Sequence, residues 1–185
     1  MNPRHIPNII SVMRLFMVAP VVAWILGGRP APALVLFLIA GASDALDGFL
    51  AKRYGWQSRV GGFLDGIADK LLLVGSMLAL AWMGALPVWL VAAAMARDAI
   101  IVTGGVAFRL LVGPFTAEPS RLSKLNTALQ IGVVALALTR WLGVAYPDPL
   151  VAAVHAACLV LVVASGAGYV VVWGRRAVTE LAGRS

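Results

Sequence analysis

Residues 43–70 run SDALDGFLAKRYGWQSRVGGFLDGIADK, and they decide how the rest of the chain is interpreted. Four aspartates, Asp44, Asp47, Asp65 and Asp69, stand in two segments otherwise apolar enough to span a bilayer. A carboxylate at bilayer depth costs about 2.5–3.5 kcal/mol on insertion scales, so an intramembrane acid marks function by default. The spacings of three (44 to 47) and four (65 to 69) put each pair on one face of its helix. Pairs 47/65 and 44/69 are both centred at residue 56 to within half a residue. An antiparallel hairpin turning at 55–57 therefore sets the four carboxyls in two facing tiers.

Outward from this hairpin, the chain is apolar almost throughout. Of its 185 residues 61% are hydrophobic and only 12% charged, far from the roughly 25% charged residues usual in a soluble domain. Six stretches reach the ~20 residues that a membrane-crossing helix needs. They lie near 8–28, 31–52, 61–84, 86–112, 124–145 and 149–173, separated by turn signals such as GGRPAP, MGALP, GPFTAEPSR and YPDP. The expected architecture is an all-α integral membrane protein, a single six-transmembrane-helix bundle over 1–185 with a short amphipathic, interfacial segment at MNPRHIPN. Arg14 within the first span, and the lack of a small-residue exit after it, argue against a cleaved signal peptide.

The net charge of +7 does not indicate a nucleic-acid binder, because the cations form no long run and collect at span ends. With the amino terminus cytoplasmic, only Arg29 and Arg140 of the 15 lysines and arginines fall outside. This positive-inside bias places both termini and the carboxylate hairpin on the cytoplasmic side. Arg- and Ala-rich, Lys-poor usage fits a high-GC bacterium, and hence a bacterial plasma (inner) membrane.

Four crowded carboxylates raise one another's pKa unless cations compensate them. All-oxygen ligation favours a hard divalent ion, Mg²⁺ or Mn²⁺, and two such ions would match four ligands and suit a diphosphate. Gly48 and Gly61 leave backbone gaps where a phosphate-bearing ligand can approach, and Lys52, four residues after Gly48, sits near the same face for a phosphate. Arg53 is better explained as an anchor at anionic headgroups.

Written as D-x-x-D-G-x-x-A-K followed by G-x-x-x-D-x-x-x-D, the stretch resembles the signature of the CDP-alcohol phosphotransferase family of membrane enzymes. Pro7-Asn8, Ser11 and Arg14 resemble the family's opening P-N-x-x-[ST]-x-x-R. Where the family has A-R, this chain has Ala51-Lys52, which keeps a cation but loses the planar fork of arginine. The resemblance implies that Asp44, Asp47 and Asp65 bind divalent metal, and that Asp69 is the general base and also touches metal. It implies that Asn8, Gly48, Lys52 and Gly61 serve the cytidine nucleotide and its phosphates. The implied reaction moves a phosphatidyl group from CDP-diacylglycerol to an alcohol and releases CMP, in a homodimer with one site per protomer.

The acceptor is sought elsewhere, at Arg97-Asp98 and in the run Ser123-Lys124-Leu125-Asn126-Thr127-Ala128-Leu129-Gln130. A structural Arg97–Asp98 ion pair and an N-cap at Ser123 compete with a binding role. The combination A-R-D with S-K-x-N-T-x-x-Q is most similar to the cardiolipin synthases of the family, whose acceptor is phosphatidylglycerol. Phosphatidylglycerophosphate synthases more often show G-K-x-K-T, so Asn126 in place of a second lysine favours a less charged acceptor. Arg97, Ser123, Lys124 and Asn126 are the expected acceptor residues. A membrane metal or proton transporter also accounts for intramembrane acids, but it expects carboxylates nearer the midplane and often a repeat, and it leaves the two glycines unexplained.

Overall fold

A computed structural model describes residues 6–54, 59–111, 113 and 121–182, with side chains described for 10–43, 65–110, 113 and 121–174. The described residues form six α-helices: α1 (Ile6–Leu26), α2 (Pro30–Tyr54), α3 (Arg59–Trp82), α4 (Val88–Leu111), α5 (Arg121–Trp141) and α6 (Asp148–Ala182). Three of them carry stretches long and apolar enough to cross a membrane, Val88–Leu110, Arg121–Trp141 and Asp148–Gly174. Shorter apolar stretches, Ile10–Leu26 and Pro30–Ser43, lie in α1 and α2.

The helices are apolar on both faces. In α3, Ala68, Leu72, Leu73, Met77 and Leu80 are buried, while Ile67, Leu71, Leu78 and Trp82 are exposed. Apolar residues all round a helix, rather than along one stripe, are the pattern of a helix embedded in lipid. Trp82 and Trp89 expose most of their rings near helix ends, as residues of an interfacial belt do.

The chain divides into two compact units. The first comprises Met1–Leu86 and Val134–Ala145, and here α1 packs against both α2 and α3. A Cβ on Gly75 of α3 would lie 3.1 Å from Val22 Cγ2, so a glycine at this position lets α1 and α3 approach closely. The second unit comprises Pro87–Val133 and Tyr146–Ser185, and is built on the α4–α6 pair. Trp173 of α6 fills a notch that Gly104 and Gly105 open in α4, where a Cβ on Gly104 would overlap the indole ring. Tyr169 meets the same ring edge-on, with centroids 5.3 Å apart. Trp173 is thus a packing residue.

Helix ends depart from the expected spans where local chemistry intervenes. At the amino terminus the chain is already helical from Ile6, so Pro7 and Asn8 fall in the first turn of α1, where a missing N–H costs nothing. The rest of the expected interfacial segment lies outside the described residues. The fifth helix stops at Trp141 rather than near 145, because Gly143 takes φ 92° and the Val144 N–H turns back to the Thr139 carbonyl at 3.1 Å. The sixth helix runs on to Ala182, beyond the apolar stretch that ends at Gly174, since RRAVTELA contains no breaker.

Candidate active site

Arg14 lies within an apolar helix and is 1% exposed, so its charge needs compensation from another element. It finds this on α3, where Arg14 Nη1 donates to Asp65 Oδ1 at 2.6 Å. Ser11, one turn earlier on the same face of α1, donates its hydroxyl to the same oxygen at 3.3 Å. Both bonds end on Oδ1, and among the described residues Oδ2 accepts none. The Asp65 side chain is 34% exposed, so α1 grips one oxygen of a carboxylate that stays one-third exposed. The Ser11–Arg14 pair escaped assignment to the site on sequence grounds. Its signal was an arginine inside an apolar span with a hydroxyl three residues before it.

Asp69, half-buried, follows Asp65 by one turn on α3, and Lys70 beside it is exposed. Asp44, Asp47, Gly48 and Lys52 fall in α2 and Gly61 in α3, and Asn8 in α1, but their side chains lie outside the described residues. So does the turn at 55–57 on which the two-tier arrangement depends. Among the described residues no three acidic, histidine or cysteine side chains converge. The donor chemistry of Asp65 and Asp69 nevertheless fits a hard divalent cation. Both offer carboxylate oxygen, and Oδ2 of Asp65 keeps its lone pairs while Oδ1 is taken by protein donors.

The second cluster is organised by Arg97 of α4, which is 5% exposed. All three of its guanidinium nitrogens bond within the protein. Nε donates to Ser165 Oγ of α6 at 2.9 Å, Nη1 to Asp98 Oδ1 at 2.6 Å, and Nη2 to Ser123 Oγ of α5 at 2.6 Å. Gly166 gives the arginine stem room, since a Cβ there would lie 3.4 Å from Arg97 Cγ. Three of the five guanidinium N–H groups are thereby used, and two remain.

The structure therefore unites Arg97, Asp98 and Ser123 and shows the expected ion pair. Ser123 is no N-cap, because α5 already begins at Arg121 and the hydroxyl is an acceptor for Arg97. Lys124 is exposed beside it. Asn126 is wholly buried, and among the described residues neither its Nδ2 nor its Oδ1 has a hydrogen-bond partner. Ser165 was missed at the sequence level, where a lone hydroxyl on an apolar helix looks like a packing residue.

Comparison with known families gives a match to CDP-alcohol phosphatidyltransferase over residues 4–173. The chain belongs to that family. Among its curated relatives is the "Probable cardiolipin synthase (CMP-forming)" of Drosophila melanogaster, 32% identical over 74% of this chain and 48% of the relative. The "Cardiolipin synthase (CMP-forming)" of Rattus norvegicus is 31% identical over 99% of this chain and 66% of its own length. The "Probable phosphatidylglycerophosphate synthase" of Mycobacterium tuberculosis is 33% identical over 90% of this chain and 80% of its own length. The chain thus spans between about half and two-thirds of these two cardiolipin synthases, and more of this phosphatidylglycerophosphate synthase. In this family member, α1 and α3 carry the Ser11–Arg14–Asp65 arrangement within the matched region.

Proposed function

We propose that this chain transfers a phosphatidyl group from CDP-diacylglycerol to phosphatidylglycerol, forming cardiolipin and releasing CMP, at the cytoplasmic side of a bacterial plasma membrane. The observation that carries the proposal is the buried Arg14 holding Asp65 by one edge, in a chain of the CDP-alcohol phosphatidyltransferase family.

In this reading Asp44, Asp47, Asp65 and Asp69 would hold two divalent cations. The chemistry that bound Mg²⁺ or Mn²⁺ supplies is neutralisation of charge on the donor diphosphate and on departing CMP. Arg14 and Ser11 orient Asp65. Asn8, Gly48, Lys52 and Gly61 line the nucleotide and its phosphates, and Asp69 takes the proton of the attacking hydroxyl. A bond forms between that hydroxyl oxygen and the phosphorus bearing the diacylglycerol, and the bond from that phosphorus to the CMP oxygen breaks. Arg97, Ser123, Lys124 and Asn126 receive the acceptor, and two protomers form a homodimer with one site each.

A second reading takes glycerol 3-phosphate as acceptor, and the coverage of the Mycobacterium tuberculosis relative favours it. Against it stands Asn126, where a second lysine would better serve a dianionic phosphomonoester. Purified chain given labelled CDP-diacylglycerol and each acceptor separates the two. Cardiolipin is expected with phosphatidylglycerol; product with glycerol 3-phosphate alone would overturn the first reading in favour of the second.

A further inference from the structure

The buried face of α5 changes character along its length. Asn126 and Gln130 are 0% and 2% exposed, and one turn further on the face becomes apolar at Val133, Val134, Ala137 and Leu138. Both Asn126 side-chain atoms and Gln130 Nε2 lack hydrogen-bond partners among the described residues. Buried polar atoms in folded proteins are nearly always paired, because leaving one unpaired forfeits its hydration without return. Three such atoms four residues apart on one helix face call for a ligand or water.

The chemistry of the pair narrows the ligand. With both ends of the Asn126 amide unpartnered, the conclusion is indifferent to which atom is nitrogen and which oxygen. The site offers donor and acceptor together. A phosphate oxygen only accepts and an ammonium only donates, whereas a hydroxyl does both. Charged groups lie at one end of the same stretch, where Arg97 bonds Ser123, three residues before Asn126. Gln130 stands about 10.5 Å further along the helix axis than Ser123. The order along α5 is charge first, then neutral amides, then apolar side chains.

We infer that Asn126 and Gln130 form a hydroxyl-recognising amide pair for the glycerol part of the acceptor, with Gln130 a specificity-determining residue. The inference rests on the acceptor assignment proposed above and deepens it. Arg97 and Lys124 supply the charge that meets an anionic acceptor at the start of α5, and the amides read the hydroxyls beyond it. Because the buried amide atoms have no partner to lose among the described residues, replacing either amide by an apolar side chain of similar shape leaves the fold intact or more stable.

The test uses the full purified chain in mixed micelles, with Gln130→Met and Asn126→Leu as near-isosteric variants. Thermal midpoints are measured with and without phosphatidylglycerol or glycerol 3-phosphate, together with the KM for each substrate. Both variants are expected to melt at or above the native midpoint and to lose the upward shift that acceptor gives the native chain. Their acceptor KM should rise about tenfold, the order expected for loss of a buried hydrogen bond, while the KM for CDP-diacylglycerol stays unchanged. An acceptor KM within twofold of native in both variants would overturn the inference, leaving the amides to water. So would a variant that fails to fold or melts well below native, since that shows the amide bonded within the protein. Failure of the native chain to turn over either acceptor would sink the functional reading instead. The thermal shift then decides the amide pair by itself, and its absence with both acceptors would overturn the pair as well.

Discussion

The two arginines buried among the described residues, Arg14 and Arg97, solve the same problem in opposite ways. Arg14 reaches across 51 residues of sequence to a carboxylate on another helix, and that carboxylate remains one-third exposed. Arg97 takes its counter-charge from Asp98, its own neighbour in the chain, and turns its remaining bonds to two neutral hydroxyls. The first arrangement positions a charge where a ligand can meet it. The second shares its charge with the neighbouring residue, keeps two of its five N–H groups for a ligand, and ties α5 and α6 to α4. Changes around Arg14 should therefore alter metal dependence and turnover, and changes around Arg97 should alter acceptor use.

The largest effect is expected on the carboxylate side. Asp69→Asn preserves size and should lower turnover by about 10²–10⁴-fold, the usual worth of a general base, with the thermal midpoint preserved. Turnover within a few-fold of native would remove Asp69 as base. Next comes Arg14→Met, which leaves Asp65 without its 2.6 Å partner. Loss of about 3 kcal/mol of stability is expected, with a higher Mg²⁺ concentration needed for half-maximal rate. An unchanged metal titration would show that Arg14 is structural only, and the contrast between the two arginines would fall.

Arg97→Met is the matching experiment. A rise in acceptor KM of about tenfold or more is expected, with the Mg²⁺ titration unchanged. A shift in metal dependence here would erase the distinction. The smallest effect belongs to Ser165→Ala, which removes one neutral partner from Nε. It should cost about 1 kcal/mol of stability and raise acceptor KM a few-fold, and Ser165→Thr, which keeps a hydroxyl, should recover most of both.

Much of this was legible in the sequence, for reasons that differ by residue. The helices announced themselves because long apolar runs bounded by turn signals mark them whatever their neighbours, and Asp65 and Asp69 stood out because acids within such runs are costly. Helix ends were less legible. The turn at Gly143 depends on a local backbone conformation, and the run past Gly174 on the absence of a breaker after the apolar stretch. Partnerships were least legible of all. Nothing in the spacing ties Arg14 to Asp65 or Arg97 to Ser165, 68 residues apart, because helix packing brings these groups together. The amides of Asn126 and Gln130, unpartnered among the described residues, were invisible for the same reason: partners come from other helices, and spacing along one helix does not name them.

The most direct test of the central claim is CMP release from labelled CDP-diacylglycerol by the purified chain, with phosphatidylglycerol present, before and after chelation, and with Asp65→Ala alongside. The account predicts CMP and cardiolipin in equal amounts, lost on chelation, restored by Mg²⁺ or Mn²⁺, and absent with the variant. CMP release that persists undiminished in Asp65→Ala, or no release by the native chain with any alcohol acceptor, would contradict it.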